Sequence, residues 1–301
     1  MKGDPDDYIK IFPLQKGEKL YHYTSASAVR GILDSNSFWA TKYDFLNDRS
    51  EFEYAYKIFS MKIISEIKDE RLKKEIRTRL RKEINDDFSV KQGSVLNGYY
   101  VLSFSLNADN LALWSEFTNE AGYCMEFDYT ILDQTLETYF GWEGKVIYDR
   151  EIQLKNMREK WIDFLEQEFD LKYNEILTNT NLDLSEKIIT GMVTHALILC
   201  VLYGMFYKKP EFNMEQEYRY VFSIWHEDGG NAKRTLPMQF RIKGDTFVPY
   251  VAIPCNATEA INSIEIGPKN NMDIAEKGAG LYCLSKGLNI KIKKSKVSLR
   301  Y

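Results

Sequence analysis

The chain has 301 residues, of which 44% are hydrophobic and 28% are charged, as in an ordinary soluble globular protein, so the composition argues against intrinsic disorder. Its formal net charge of −4 argues against a broad basic surface for duplex nucleic acid and leaves room only for a local basic patch or groove. The cysteines are far apart in sequence and form no CxxC pair, which favours buried, reduced thiols over disulfides or a zinc site: Cys124, Cys200, Cys255 and Cys283.

The N-terminal part of the chain predicts a strand, a helix and a second strand. Met1–Asp7 contains no apolar segment of the kind that a secretory signal requires, so we expect a cytoplasmic protein. Leu20–Thr24 has the composition of a short strand, and Thr24 or Ser25 can cap the helix that follows. Phe38–Thr41 then predicts the second strand.

Long helices are predicted where apolar residues recur at helical spacing. Glu51–Asp87 is such a segment, and a break near Lys68 would make it a helical hairpin. Glu151–Asn174 and Ser185–Tyr207 are the others, and the last has no charged residue from Ile188 onward, a length that could span a bilayer. Its polar positions, and the lack of a second such segment, favour a buried core helix. We therefore expect no membrane contact.

The remaining elements alternate between strands and short helices. Short helices are predicted at Leu111–Phe117 and Asp273–Lys286. Strands are predicted at Tyr99–Ser105, Gly122–Asp128, Lys145–Tyr148, Glu217–Trp225, Met238–Ile242, Phe247–Ile253, Ile261–Ile266 and Ile290–Lys294. This order predicts an α+β fold with a mixed or antiparallel sheet, formed by a single domain over residues 1–301 with helical insertions at about 51–92 and 150–207. The sequence carries no signal for an oligomeric state.

One strand places charged side chains in a row. If residues 215–222 form a strand, then Glu215, Glu217 and Arg219 share one face, because alternate side chains point the same way. The opposite face is aromatic and suited to a core. The charged row is either a functional site or the solvated face of an edge strand with an internal ion pair.

Histidine and serine side chains mark two further strands. His22 ends a strand just before a helix, where an imidazole lies at the mouth of a cleft or is hydrogen-bonded inside the sheet. Ser103 and Ser105 place two hydroxyl groups on one face of their strand. The two serine hydroxyl groups alone are a weak signal of function.

Acidic residues allow a metal site as an alternative. Asp44–Glu51 combines amide, carboxylate and guanidinium groups just before a helix, as a capping turn does. It is also a candidate loop for a hard cation, together with Glu126, Asp128 and Glu217. The second interpretation predicts a metal-dependent nuclease or hydrolase.

Several motifs in order along the chain resemble the bacterial domain-of-unknown-function 2971 family. They are Leu20-Tyr-His-Tyr-Thr24, Phe45-Leu-Asn-Asp-Arg-Ser-Glu51, Ser103-Phe-Ser105, Leu113-Trp-Ser115, Gly122-Tyr-Cys-Met-Glu-Phe-Asp128, the Phe206–Val221 run and Ile264-Glu-Ile-Gly-Pro268. The family name itself implies no activity.

A more distant resemblance is to the ADP-ribosyltransferases. Their three-part signature is similar to the His22 strand, the Ser103-Phe-Ser105 strand and the Glu215-Gln-Glu217 segment. The resemblance implies an ADP-ribosyltransferase-like sheet, NAD as substrate, Glu217 as the catalytic glutamate, and Glu215 as a base for an incoming nucleophile. It assigns to NAD binding the residues His22, Tyr23, Thr24, Tyr43, Asn47, Ser103, Ser105 and Arg219.

The same resemblance predicts cleavage of the nicotinamide–ribose bond, with transfer to a protein or nucleic-acid acceptor or to water. A toxin or anti-phage role is a further hypothesis, because proteins with such folds often have these roles. Tyr23 departs from the pattern, since relatives with His-Gly-Thr have glycine there, and the clamp for the NAD pyrophosphate is open between Arg30 and Arg49. The competing class is a non-enzymatic module that binds a nucleotide or a protein.

Overall fold

The structure is a computed structural model that describes residues 9–46, 50–87, 98–118, 121–139, 141–224 and 236–297. The chain forms two compact units. The first comprises residues 1–42, 98–145 and 214–301, and the second comprises residues 43–97 and 146–213. The second unit is thus built from the two ranges in which the sequence predicts the long helices.

The strands all belong to the first unit. They are β1 (Ile9–Phe12), β2 (Lys19–Thr24), β3 (Ser37–Lys42), β4 (Tyr99–Ser105), β5 (Tyr123–Asp128), β6 (Gly141–Lys145), β7 (Glu217–Ser223), β8 (Met238–Lys243), β9 (Thr246–Pro254), β10 (Ile261–Ile266) and β11 (Lys291–Lys294).

The helices are divided between the units. The first unit contains α1 (Ala26–Ser35), α4 (Leu111–Thr118), α5 (Tyr129–Leu136), α9 (Ala257–Ala260) and α10 (Met272–Ser285). The second contains α2 (Ser50–Ile58), α3 (Glu70–Asp87), α6 (Arg150–Phe169), α7 (Tyr173–Thr178) and α8 (Glu186–Gly204). After α2 the chain continues through a π-helical turn, Phe59–Ile63, and then breaks before α3, as the sequence predicts near Lys68.

The sheet is mixed and largely antiparallel, which confirms the predicted α+β class. Its strands follow the order β1-β6-β7-β4-β2-β5-β10-β11, and β3, β9 and β8 branch from β4. Within the described residues, the parallel pairs are β1 with β6 and β10 with β11, at the two ends of this order. The strands that carry His22, Ser103 and Glu217 are therefore neighbours, in the order β7-β4-β2.

Strand β4 has two partners along one edge. Near its C-terminal end Tyr21 of β2 pairs with Ser105, and near its start Thr41 of β3 pairs with Val101. β2 then continues along β5, whereas β3 continues along β9. The two strands thus diverge from β4 and leave a gap between them.

An aromatic core covers one face of this sheet. Phe38, Phe104 and Phe127 pack edge to face, with ring centroids 5.4 to 6.0 Å apart, and Tyr220 extends the cluster. Such pairs contribute roughly 0.5–1.5 kcal/mol each beyond the area they bury. This packing fixes β3, β4, β5 and β7 against one another.

Helix α8 forms the centre of the second unit. It packs against α2, α3 and α6 through a series of buried residues that includes Met192, Ala196 and Cys200. Among the described residues it is the helix that is long and apolar enough to cross a membrane, yet half of that apolar window is buried in the protein. This burial agrees with the predicted core helix. All four cysteines are buried and unpaired, as predicted.

Some predicted elements are wrong or incomplete. The predicted strand at Lys145–Tyr148 is instead β6, which ends at Lys145, and only an isolated bridge at Ile147 follows it. Strand β1 and helix α5 were not predicted. The helix predicted to end near Asn174 is split, because Asp170 adopts a left-handed conformation with φ of 51° that ends α6.

Candidate functional site

Strand β7, which carries Glu217 and Arg219, lies inside the sheet. It is hydrogen-bonded to β4 on one side and to β6 on the other, and every one of its residues is buried. The interpretation of this segment as a solvated edge strand is therefore wrong. The Arg219 Nε–H donates to the Glu217 carboxylate, and the two side chains are only 2% and 8% exposed. A buried carboxylate needs such a partner, since an uncompensated charge in this setting is costly.

Glu215 does not belong to the strand, contrary to the prediction. It ends a 3₁₀ helix at Pro210–Glu215, and Gln216 between the two glutamates has φ of 43°, in the left-handed region. The alternation that would align Glu215 with Glu217 is therefore broken. Both side chains nevertheless line the same cavity, because the turn at Gln216 redirects the chain.

The Ser105 hydroxyl holds this turn in place. Its O–H donates to the Glu215 carbonyl at 2.6 Å, and its oxygen accepts the Asn107 N–H at 2.9 Å. Ser105 is also the register partner of Glu217 in the β4–β7 ladder. Ser105 thus positions both glutamates, whereas Ser103 is half-buried in the wall of the cavity two residues earlier on the same face.

His22 belongs to β2 and lies beside the gap between β2 and β3. Strand alternation directs its side chain to the face opposite Tyr21, which shares a face with Ser105 and Glu217. Its Nδ1–H donates to the Ser103 carbonyl at 3.3 Å, and its ring packs against Phe38 and Phe104. Burial lowers the pKa of His22 to about 4, so the imidazole is neutral near pH 7.

The other residues assigned to NAD binding lie in different places. Tyr23 contributes to the wall of the same cavity as Glu217, but its hydroxyl donates to the Asn107 carbonyl and accepts the Asn110 N–H. Thr24 borders a second cavity. Tyr43 is buried and belongs to the second unit, and Asn47 lies outside the described residues.

We call the first of these cavities the glutamate cavity. It has a volume of about 130 Å³ and is bordered by His22, Ser103, Ser105, Glu215 and Glu217, with Phe117 of α4 on its apolar side. Residues of the three motifs therefore border one cavity, although the His22 side chain is directed to the face opposite Glu217. Residues of α4 were not predicted as part of a site, and their apolar character gave no signal for it.

We call the second the arginine cavity. Its volume is about 470 Å³, within the roughly 300–1,000 Å³ usual for ligand pockets. It lies where β2 and β3 diverge, between α1 and β8, and its border includes His22, Thr24, Ser25, Thr41 and Arg241. Among the described lining residues, His22 alone borders both cavities.

The carboxylates of the metal alternative are already bound to other groups. Glu126 accepts ion pairs from Lys19 and Lys293, and Asp128 caps α5 by accepting the Ile131 N–H at 3.1 Å. Within the described residues, no group of three His, Cys, Asp or Glu side chains is placed to hold a metal ion. The geometry thus gives no support to the metal alternative.

The sequence did not identify Arg241. Of the two arginines considered for a pyrophosphate clamp, Arg30 is exposed and paired with Asp34, and Arg49 lies outside the described residues. Arg241 alternates with the apolar residues Phe240 and Ile242 along the same strand. The alternation could be predicted from the sequence. The sequence does not show that residues of β8, α1 and β2 border one cavity.

A model of a protein family matches part of the chain. Residues 113–220 match the model of a family described as a protein of unknown function (DUF2971), and this stretch includes both glutamates and Arg219. No curated protein and no solved structure matches the chain. The matched stretch covers 108 of the 301 residues, and of the motifs noted in the sequence it contains Leu113–Ser115, Gly122–Asp128 and nearly all of Phe206–Val221. The match supports a resemblance to the DUF2971 family over this part of the chain.

Proposed function

We propose that the chain is an ADP-ribosyltransferase-like enzyme that binds NAD and cleaves its nicotinamide–ribose bond, with transfer to a protein or nucleic-acid acceptor or to water. One observation carries the proposal. Two buried glutamates, one of them paired with Arg219, share a small cavity with Ser103 and His22. These are the residues on which the resemblance to ADP-ribosyltransferases rests.

The chemistry of this reaction suits a buried carboxylate. When the glycosidic bond breaks, its electron pair leaves with nicotinamide and the ribose acquires oxocarbenium character at C1′. A fixed negative charge nearby stabilises that cation more strongly in a closed site than in water. Glu217 would supply this charge, with Arg219 holding its orientation.

Glu215 has a separate role in transfer. The attacking nucleophile forms a bond to C1′ and must lose a proton, which the Glu215 carboxylate would accept. Its backbone is fixed by the Ser105 hydroxyl, so the distance from Glu215 to Glu217 is set by the fold rather than by the ligand. Simple hydrolysis would use the same two groups with water as the nucleophile.

The relation between the strands also supports the proposal. The His22, Ser103 and Glu217 strands are separated along the chain by the helical segments, yet they are adjacent in the sheet. His22 faces the arginine cavity and also borders the glutamate cavity, so a ligand with two ends could contact it from either side.

Nicotinamide release from NAD by the purified chain is the test. We expect turnover by the natural chain and a loss of at least about 100-fold in Glu217→Gln, as for removal of other groups that stabilise developing charge. His22→Ala should also lose turnover, through weaker ligand positioning.

Glu126→Gln is the matched control. Glu126 is as buried as Glu217 and is also paired with a basic residue, but among the described residues it borders neither cavity. It should keep turnover. Turnover that survives in Glu217→Gln, or divalent-dependent nuclease activity without NAD binding, would overturn the proposal, and NAD binding without cleavage would identify a non-enzymatic module.

A further inference from the structure

The arginine cavity contains a basic side chain with no acidic partner. The Arg241 Nη2–H donates to the Thr41 hydroxyl at 2.7 Å, and within the described residues no carboxylate pairs with this guanidinium. Arg241 is only partly exposed, and burial lowers its pKa. A guanidinium that is partly removed from water and lacks a counter-charge is suited to binding an anion.

The rest of the cavity adds hydroxyl donors but no charge. Thr24, Ser25, Ser27 and Thr41 border it, and the Ser25 and Ser27 hydroxyls are hydrogen-bonded to each other at 2.8 Å. His22 is neutral near pH 7 because its pKa is about 4. Among the described lining residues, Arg241 is thus the one that carries charge, and that charge is positive.

An aromatic side chain stands at the same border. Trp39 is 47% exposed, and its indole stacks on Tyr250 with a centroid distance of 4.4 Å. The exposed part of the indole offers apolar surface to a planar ring. The cavity therefore combines a cation, several hydroxyl groups and an aromatic surface, the groups that phosphate, ribose and base each require.

We infer that the arginine cavity binds a nucleoside diphosphate, with the Arg241 guanidinium as the partner of its phosphates. Arg241 is a binding residue in this role and takes no part in bond cleavage. The choice of ligand rests on the proposed function, because NAD presents a diphosphate between its two nucleosides. The adenosine side of NAD would lie in the arginine cavity, and the nicotinamide side would pass His22 into the glutamate cavity.

Calorimetric titration with ADP and with adenosine tests the inference. We expect ADP to bind the natural chain more tightly than adenosine, and Arg241→Gln to weaken ADP binding about 10- to 100-fold while leaving adenosine binding unchanged, since a charge-assisted pair with phosphate is lost. Arg241→Lys should show an intermediate loss, because it keeps the charge but not the planar fork.

Lys243→Gln is the matched control. It removes a positive charge from the same strand, but Lys243 does not border the cavity within the described residues. Its ADP affinity should stay within about twofold of the natural value, because exposed charges at a distance are screened by salt. Thermal unfolding of each variant checks that it is folded. If Arg241→Gln does not fold, the loss of ADP affinity is measured on Arg241→Lys instead.

The outcomes separate this inference from the proposed function. Arg241-dependent ADP binding without nicotinamide release supports the inference and overturns the proposed reaction. Nicotinamide release with natural ADP affinity in Arg241→Gln does the reverse. Equal affinity for ADP and adenosine, or no binding of either, overturns the inference.

Discussion

At the scale of residues, the site depends on a few side chains that each have a defined partner. Glu217 is paired with Arg219, and Ser105 bonds the backbone of Glu215. The pairing of Glu217 with Arg219 could be predicted from strand alternation. The placement of Glu215 could not, because nothing in the local sequence requires Gln216 to adopt a positive φ.

The lowered pKa of His22 should make the stability of the protein depend on pH. Its pKa is lowered to about 4 in the folded chain, from the 6.5 usual for histidine, so between these values the unfolded chain takes up a proton that the folded chain does not. The free energy of unfolding should therefore decrease as pH falls from 6.5 towards 4, and this contribution is fully present above pH 6.5.

His22→Gln isolates this effect, because it lacks the titrating group. Urea unfolding of both proteins at several pH values should show the natural chain losing stability relative to the variant as pH falls through that range. His195 has its pKa lowered in the same direction, but its contribution cancels in the comparison. A pH-independent difference, or an NMR titration of His22 near 6.5, would contradict the lowered pKa.

At the scale of elements, the strands that carry the motifs were predictable, and two others were not. β4 begins and ends where the sequence predicts, because its apolar and aromatic residues form a short run typical of a buried strand. β1 is short, and its position depends on parallel pairing with β6 and on ion pairs from Lys10 to Asp133 and Glu143. These are long-range contacts, which local patterns do not reveal.

The sequence does not predict β6 because this strand contains two glycines, Gly141 and Gly144. Both are needed because the backbones of the neighbouring strands β7 and β1 approach them closely. A Cβ atom at Gly141 would lie 1.8 Å from the Val221 carbonyl oxygen of β7. Glycine ordinarily weakens a strand, so the sequence indicates a turn here rather than a strand. Close approach of the β7 backbone is the physical reason for the exception.

Gly141→Ala should therefore destabilise the protein. The added methyl group must push β6 away from β7, which should lower the free energy of unfolding by at least about 2 kcal/mol. Gly278→Ala is the control, because it lies in α10 with nothing within 4 Å of the added Cβ, and it should raise stability by about 0.5–1 kcal/mol through helix propensity. Chemical denaturation measures both, and equal effects of the two substitutions would refute the close contact.

At the scale of the whole molecule, the proposed site belongs to one of the two compact units. The sheet, both cavities and the described residues that the proposed reaction uses belong to the first unit. The second unit is helical and has its own core around α8. The α+β class could be predicted from the order of the elements. The adjacency of β2, β4 and β7, which are far apart along the chain, is visible only in the folded sheet.

Helix α8 should not bind lipid. Half of its apolar window is buried, and the helices that pack against it are rich in charged residues. We expect the natural chain to remain with the aqueous fraction when it is floated with neutral phosphatidylcholine vesicles, because insertion would require these helices to separate from α8. Co-flotation with the vesicles at neutral pH would contradict this prediction. The same sample denatured in urea and diluted onto vesicles is the positive control for exposure of α8.

Because β2 and β3 diverge from one edge of β4, the two cavities are bordered by different residues, apart from His22 among the described ones. Substitutions in α1 or β8 can change the arginine cavity without altering a residue of the glutamate cavity, and substitutions in α4 can do the opposite. Over evolution, preference for one end of a ligand can therefore change independently of preference for the other. His22 is the exception among the described residues, because selection on either cavity acts on it, and it is the position where changes at one end constrain changes at the other.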